Sequence, residues 1–191
     1  MRVVLLLLAL SAPPESLEVR SRYRACIETD GDKGVEACEA SLKDTLTPPH
    51  RFLALGLLAD RLASLERWDE AIEVDRESVR MHPDDSLAQR RLGETLLYAV
   101  GRSEEALGPL REAVALEPAD AQAGASLGTA LNALSRFPES VKAFEDAVAS
   151  DPAFFSRHPA ALLTLEASKR GETWPKPTVL TPPESALSPS P

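Results

Sequence analysis

The chain has 191 residues, of which 43% are hydrophobic, 27% charged and only 5% aromatic. A net charge of −9 repels phosphate backbones, which argues against a nucleic-acid partner. The length allows one modest domain with extensions, and a core poor in rings but rich in Ala and Leu points to closely packed helices.

The first residues read MRVVLLLLALSAPPES. Arg2 supplies a short positive region, residues 3–10 are all apolar, and Ala9-Leu10-Ser11 offers small residues at the spacing a signal peptidase needs. This pattern predicts a signal peptide over residues 1–11 and an exported chain, periplasmic or secreted. The apolar run is shorter than the ~20 residues that cross a bilayer, so no membrane span is expected in the mature chain. Arginine outnumbers lysine 16 to 5, a bias of GC-rich bacterial genomes that favours the periplasm.

Residues 12–50 read as a degenerate helical hairpin. Val19, Tyr23, Cys26 and Ile27 form one stripe, and Val35, Cys38, Leu42 and Leu46 another. Asp30-Gly31-Asp32-Lys33-Gly34 separates them, and Thr47-Pro48-Pro49 ends the second. Beyond this a period appears. Prolines 49, 83, 118 and 152 are separated by 34, 35 and 34 residues, the length of one supersecondary unit in a repeat protein.

Three units follow over residues 51–152, at 52–85, 86–120 and 121–152. Leu58-Ala59, Leu92-Gly93 and Leu127-Gly128 align as a large residue followed by a small one. Ala71, Ala106 and Ser140 align in a second helix, as do Ser78, Ala113 and Ala147 two turns on. Within the first unit Leu55, Leu58, Ala59 and Leu62 share one helical face. Ser86 with Gln89 is expected to form a capping box, Ser103 to cap a second helix, and Pro138 to open one. The second unit has one extra residue in its turn, near residues 99–102. A capping helix is expected within residues 153–170, with Ala161, Leu162 and Leu165 on one face and Ser168 weakening it. Residues 171–191 hold six prolines and are expected to be a disordered tail. Trp174 is its exception, either folding back onto the cap or serving as a recognition motif.

Candidates for chemistry are few. His50 and His82 lie in turns between units and His158 precedes the cap. They share no face and have no metal-type spacing to a cysteine. Neither a glycine-rich phosphate loop nor a serine elbow is present. The expectation is no catalytic residue, no metal and no cofactor.

Leu92-Gly93, Ala106, Ala113 and Pro118, and again Leu127-Gly128, Ser140, Phe144, Ala147 and Pro152, resemble the tetratricopeptide repeat over residues 52–152. The first unit matches through Leu58-Ala59, Ala71, Ser78 and Pro83 but has Asp75 where the family usually has an aromatic. The resemblance implies an all-α, right-handed superhelical solenoid of antiparallel helix pairs. It further implies that first helices line a concave groove for a protein or peptide partner. The implied groove residues are Asp60, Arg90, Glu94, Leu97, Thr129 and Asn132. Asp60 and Glu94 would oppose a carboxylate ligand and favour a basic or polar segment.

Cys26 and Cys38 are the only cysteines. The loop between them lacks the glycine and glutamate positions of a calcium site, the four ligands of a zinc site, and Cys-x-x-Cys spacing. Their separation of 12 residues equals that of Ala59 and Ala71, and of Gly128 and Ser140. They therefore take the facing small-residue places of a repeat, where export would close a structural disulfide. Three readings stay open: an exported interaction scaffold, a thiol- or redox-responsive envelope protein using Cys26 and Cys38, and an intracellular scaffold of the same fold if the leader is no signal.

Overall fold

In the computed structural model, residues 17–173 are described, apart from 45 and 100. The expected signal peptide, Trp174 and residues 174–191 lie outside them. The described residues form ten helices: α1 Leu17–Glu28, α2 Gly31–Leu42, α3 Pro48–Ser64, α4 Trp68–Met81, α5 Ser86–Tyr98, α6 Ser103–Leu116, α7 Ala121–Ala133, α8 Phe137–Ser150, α9 Phe154–Arg157 and α10 Pro159–Lys169. None is long and apolar enough to cross a membrane. The chain divides into two compact units, one through Asp84 and one from Asp85.

In the first unit α1 packs on α2, α2 on α3 and α3 on α4. Its core holds Cys26, Val35, Cys38, Leu58, Leu62 and Ala71, the apolar positions expected from helical spacing. Asp75, where the resemblance puts a ring, is buried in α4. Arg61 braces the unit. Its guanidinium donates to the carbonyls of Thr29 at 2.8 Å, Ile27 at 3.2 Å and Leu57 at 3.3 Å. The bonds to Ile27 and Thr29 satisfy carbonyls at the C-terminal end of α1, which have no partner within their own helix, while Leu57 lies one turn before Arg61 in α3. A Cβ on Gly34 would stand 2.5 Å from Arg61 Nε, so glycine leaves room for this brace.

In the second unit α5 pairs with α6, α7 with α8, and α10 lies on α7 and α8. The α7–α8 pair is antiparallel: Gly124 faces Ala147 and Gly128 faces Phe144, so numbers rise on one helix as they fall on the other. Bare glycines permit the approach. A Cβ at Gly128 would lie 2.7 Å from the buried Phe144 ring, and one at Gly93 2.5 Å from Leu110. Gly108-Pro109 lies inside α6, where proline removes a backbone donor. Leu107 and Leu110, both buried, carry the helix through.

The turns repeat as the helices do. Glu66 and Ser135 both take positive φ, and the next residue closes back, Arg67 N–H to Leu62 O and Arg136 N–H to Leu131 O, both at 2.9 Å. This is the left-handed helix stop. Each turn then places an Arg one turn before a Glu. Arg67 meets Glu70 through two bonds of 2.7 Å, and Arg136 meets Glu139 at 2.8 and 2.6 Å. The guanidinium bond holds each of these two carboxyls below its ordinary range. The longer turn between α5 and α6 uses Gly101 at positive φ instead, which accommodates the extra residue expected there.

Several expected local signals differ. Asp85, not Ser86, caps α5, accepting from Ala88 N–H at 2.9 Å. Ser86 is the first helical residue and donates to Glu117 at 2.7 Å, while Gln89 is buried. Asp120 caps α7 in the same way, so the carboxylate two residues past Pro83 and past Pro118 takes the role. Ser103 lies inside α6 and is buried rather than capping it. Pro48 and Pro49 open α3 as first-turn residues, because a proline at the start sacrifices only donors that lack a helical partner. In the cap, Leu162 points outward, and Thr164, Leu165, Ala167 and Ser168 are buried instead. The short α9 was not expected; it buries Phe154 against the second unit's core.

Candidate functional site

Every second-unit residue implied for the groove lies on α5 or α7, but the structure sorts them differently. Glu94 is the centre of an internal network. Its carboxylate accepts from Gln122 Nε2 at 3.1 Å, Ser126 Oγ at 2.9 Å and Arg90 Nη1 at 3.2 Å. Arg90 also pairs with Asp120 at 2.9 Å. Four charged or polar partners thus tie α5 to the start of α7. These bonds occupy the carboxylate that the sequence assigned to ligand binding. Charge-assisted bonds of this kind set geometry as well as energy.

Two of the expected groove residues are corrected. Leu97 is buried in the core rather than lining a groove. Asn132 is 1% exposed. Its Nδ2 donates to Ser168 Oγ at 2.8 Å and to the Glu172 carbonyl at 2.9 Å. Ser168 in turn meets Ser140 at 2.9 Å, and Ser140 donates to Gly128 O at 2.7 Å. Asn132 is therefore a latch between α7 and the cap helix. Asp60 is exposed on α3 in the first unit. Thr129 is half-buried, its hydroxyl donating to Ala125 O at 2.9 Å.

Thr129 opens onto a cavity of about 260 Å3. Gln122, Ala125 and Thr129 of α7 form one wall, at the i, i+3, i+7 spacing of a helical face. Phe154, Ala161 and Thr164 form the opposite wall, with His158 and Tyr98 at the edges. His158 stacks on Phe154 with centroids 4.5 Å apart, and Arg157 pairs with Asp151. Burial, and secondarily the charge of Glu94, pushes the Tyr98 phenol above its ordinary 10.0. It therefore remains a neutral hydrogen-bonding group at physiological pH. The cavity joins a small apolar floor to fixed neutral polar groups, which suits a side chain and its backbone.

Of the residues implied for a groove, Thr129 lies in this lining and the others do not. Gln122 and Ala125 share Thr129's face and could have been read from spacing. Phe154 and His158 could not, because their place depends on the short α9.

The other histidines also pack on rings. His50 stacks on Tyr23 at 4.7 Å and His82 meets Phe52 edge-on at 5.1 Å. In the first unit, the Cys26 and Cys38 sulfurs stand at disulfide distance with Cα atoms 4.4 Å apart. Both residues are 0% exposed.

Residues 95–153 match the family model of the tetratricopeptide repeat. Among solved structures, the chain is similar to MamA from Desulfovibrio magneticus RS-1, at 21% identity over 80% of this chain and 88% of that one, with a TM-score of 0.64. It is similar to YrrB, described as a TPR protein with an unusual peptide-binding site, at 18% identity over 79% and 68%, TM-score 0.57. A thermophilic TPR protein of Thermus thermophilus gives 21% identity over 81% and 76%, TM-score 0.57. No curated protein matches the chain in sequence. At these identities the likeness shows the fold, which is all-α and built of tetratricopeptide-type helix pairs.

Proposed function

We propose that this protein is an exported, non-catalytic interaction module that holds a segment of a protein partner in the cavity of its second unit. A helix-pair fold of this type is typically an interaction scaffold rather than a catalyst. The carrying observation is the open cavity between α7 and α10, with a small-residue floor and a Glu94 network fixing the side chains beside it. Preorganised walls lower the ordering cost of binding. Because the Glu94 carboxylate is occupied by internal donors, the preferred segment is apolar with hydrogen-bonding backbone rather than basic. The peptide-binding site named for YrrB is in keeping with this use.

Export rests on the apolar leader and on the cysteine pair, which an oxidising compartment would keep joined. Complete burial of both sulfurs disfavours the redox reading, since exchange needs an accessible sulfur.

The test is affinity capture from the native source with wild type and a Thr129→Arg/Ala160→Arg variant. Both positions line the cavity and neither is fully buried. Partner recovery should fall about tenfold or more, with the melting curve unchanged. Undiminished recovery of the same partners defeats the groove assignment. N-terminal sequencing of the native protein tests export separately, and a chain still beginning at Met1 rejects it.

A further inference from the structure

A solenoid's terminal helix normally turns a polar face outward, because no further repeat covers it. α10 does not. Pro159, Leu162 and Leu163 lie at i, i+3 and i+4 on its outward side. Leu162 is 40% and Leu163 48% exposed. Only further along does the face become polar, where Glu166 pairs with Lys169 at 3.2 Å.

We propose that this patch is the docking surface for the chain's own residues 174–191. Three observations select that occupant over a second copy. The first is size. A stable dimer buries about 800 Å2 per partner, and three side chains on one helix provide a small part of that. A tethered segment needs less, because its effective concentration is in the millimolar range.

The second is direction. The chain stops α10 with Gly171 at φ 69°. Glu172 N–H bonds Ala167 O at 2.9 Å, and Gly171 N–H bonds Ser168 O at 3.0 Å. This motif turns the backbone off the helix axis. Asn132 then holds the Glu172 carbonyl at 2.9 Å, so the following segment leaves from a fixed point beside α10.

The third is reach and chemistry. Leu163 lies nine residues before Glu172, about 14 Å along a helix. An extended proline-rich chain covers that in about five residues. Val179 and Leu180, seven and eight residues past Glu172, have ample length to meet the patch. Pro175, Pro177, Pro182 and Pro183 flank this apolar pair. Prolines reduce the entropy lost on docking.

Hydrogen exchange on the full chain, on a chain ending at Thr173, and on a full-length Leu162→Ser/Leu163→Ser variant tests the proposal. Amides of α10 should exchange about fivefold more slowly in the full chain than in either altered form, the factor expected of a modest contact. A synthetic peptide of residues 174–191 at millimolar concentration should restore slow exchange to the truncated chain. Equal α10 exchange in the full and truncated chains overturns the proposal. So does light scattering that shows a full-length dimer abolished by the double substitution, because a second copy then covers the patch. Truncation after Thr173 keeps every described residue of the second unit, so that comparison holds even if the double variant misfolds.

Discussion

Replacing Asn132 by alanine separates two roles that predict opposite outcomes. As a groove contact, Asn132 would affect binding and leave stability alone. As the latch the structure shows, it affects stability first. Asn132→Ala removes two donated hydrogen bonds, to Ser168 Oγ and to the Glu172 carbonyl. Each contributes about 1 kcal/mol net, and the vacated volume in a closely packed site adds to the loss. The total is about 2–3 kcal/mol, which in a domain of this size lowers the melting temperature by about 4–12 °C. Ser168 keeps its bond to Thr164 O and its contact with Ser140, so the cap should loosen rather than detach. Far-UV circular dichroism reads the melt, and hydrogen exchange should accelerate most in α10. A variant that melts with wild type and loses only partner recovery would refute the latch.

Three further outcomes follow from the same geometry. Substituting Cys26 and Cys38 by serine should cost about 3 kcal/mol, the chain-entropy value for so short a loop, read as a lower urea midpoint. Native protein should show no thiol until unfolded and reduced, and two free thiols in protein from its natural source would defeat the staple. Gly128→Ala places a methyl 2.7 Å from the Phe144 ring and should destabilise by about 1–3 kcal/mol; a neutral result means α7 and α8 do not pack so closely. The raised Tyr98 pKa means the fold favours the neutral phenol. Stability is therefore retained below pH 10 and falls as pH rises from the ordinary value of 10.0 through the folded one. Tyr98 is 43% exposed, so the rise is small; absorbance titration of a Tyr23→Phe variant should show the remaining phenol ionising late, and an ordinary midpoint would contradict its partial desolvation.

The helices were legible because their signals are local. Apolar residues at i, i+3 and i+4 mark each buried face, and one proline per period marks each boundary. The facing small residues were legible too: Gly128 meets Phe144 because the same step recurs at Gly93 and Leu110. Even the cysteine separation could be read, since the period carries its geometry with it.

What the period could not carry was the direction of each polar side chain. Arg90, Glu94, Thr129 and Asn132 look alike as polar residues on first helices. Glu94 turns to Gln122 and Ser126 because the start of α7 brings donors to it. Asn132 is buried because the cap helix ends over it, and only the turn at Gly171 places the Glu172 carbonyl within reach. Ser168, which weakens the cap's apolar stripe in the sequence, strengthens the cap as a hydrogen-bond partner. Local sequence determined which segments are helices and which residues are apolar, because that depends on backbone period. Only the tertiary structure decided which polar groups face a partner and which face each other, because a hydrogen bond depends on residues brought together from far apart in the chain.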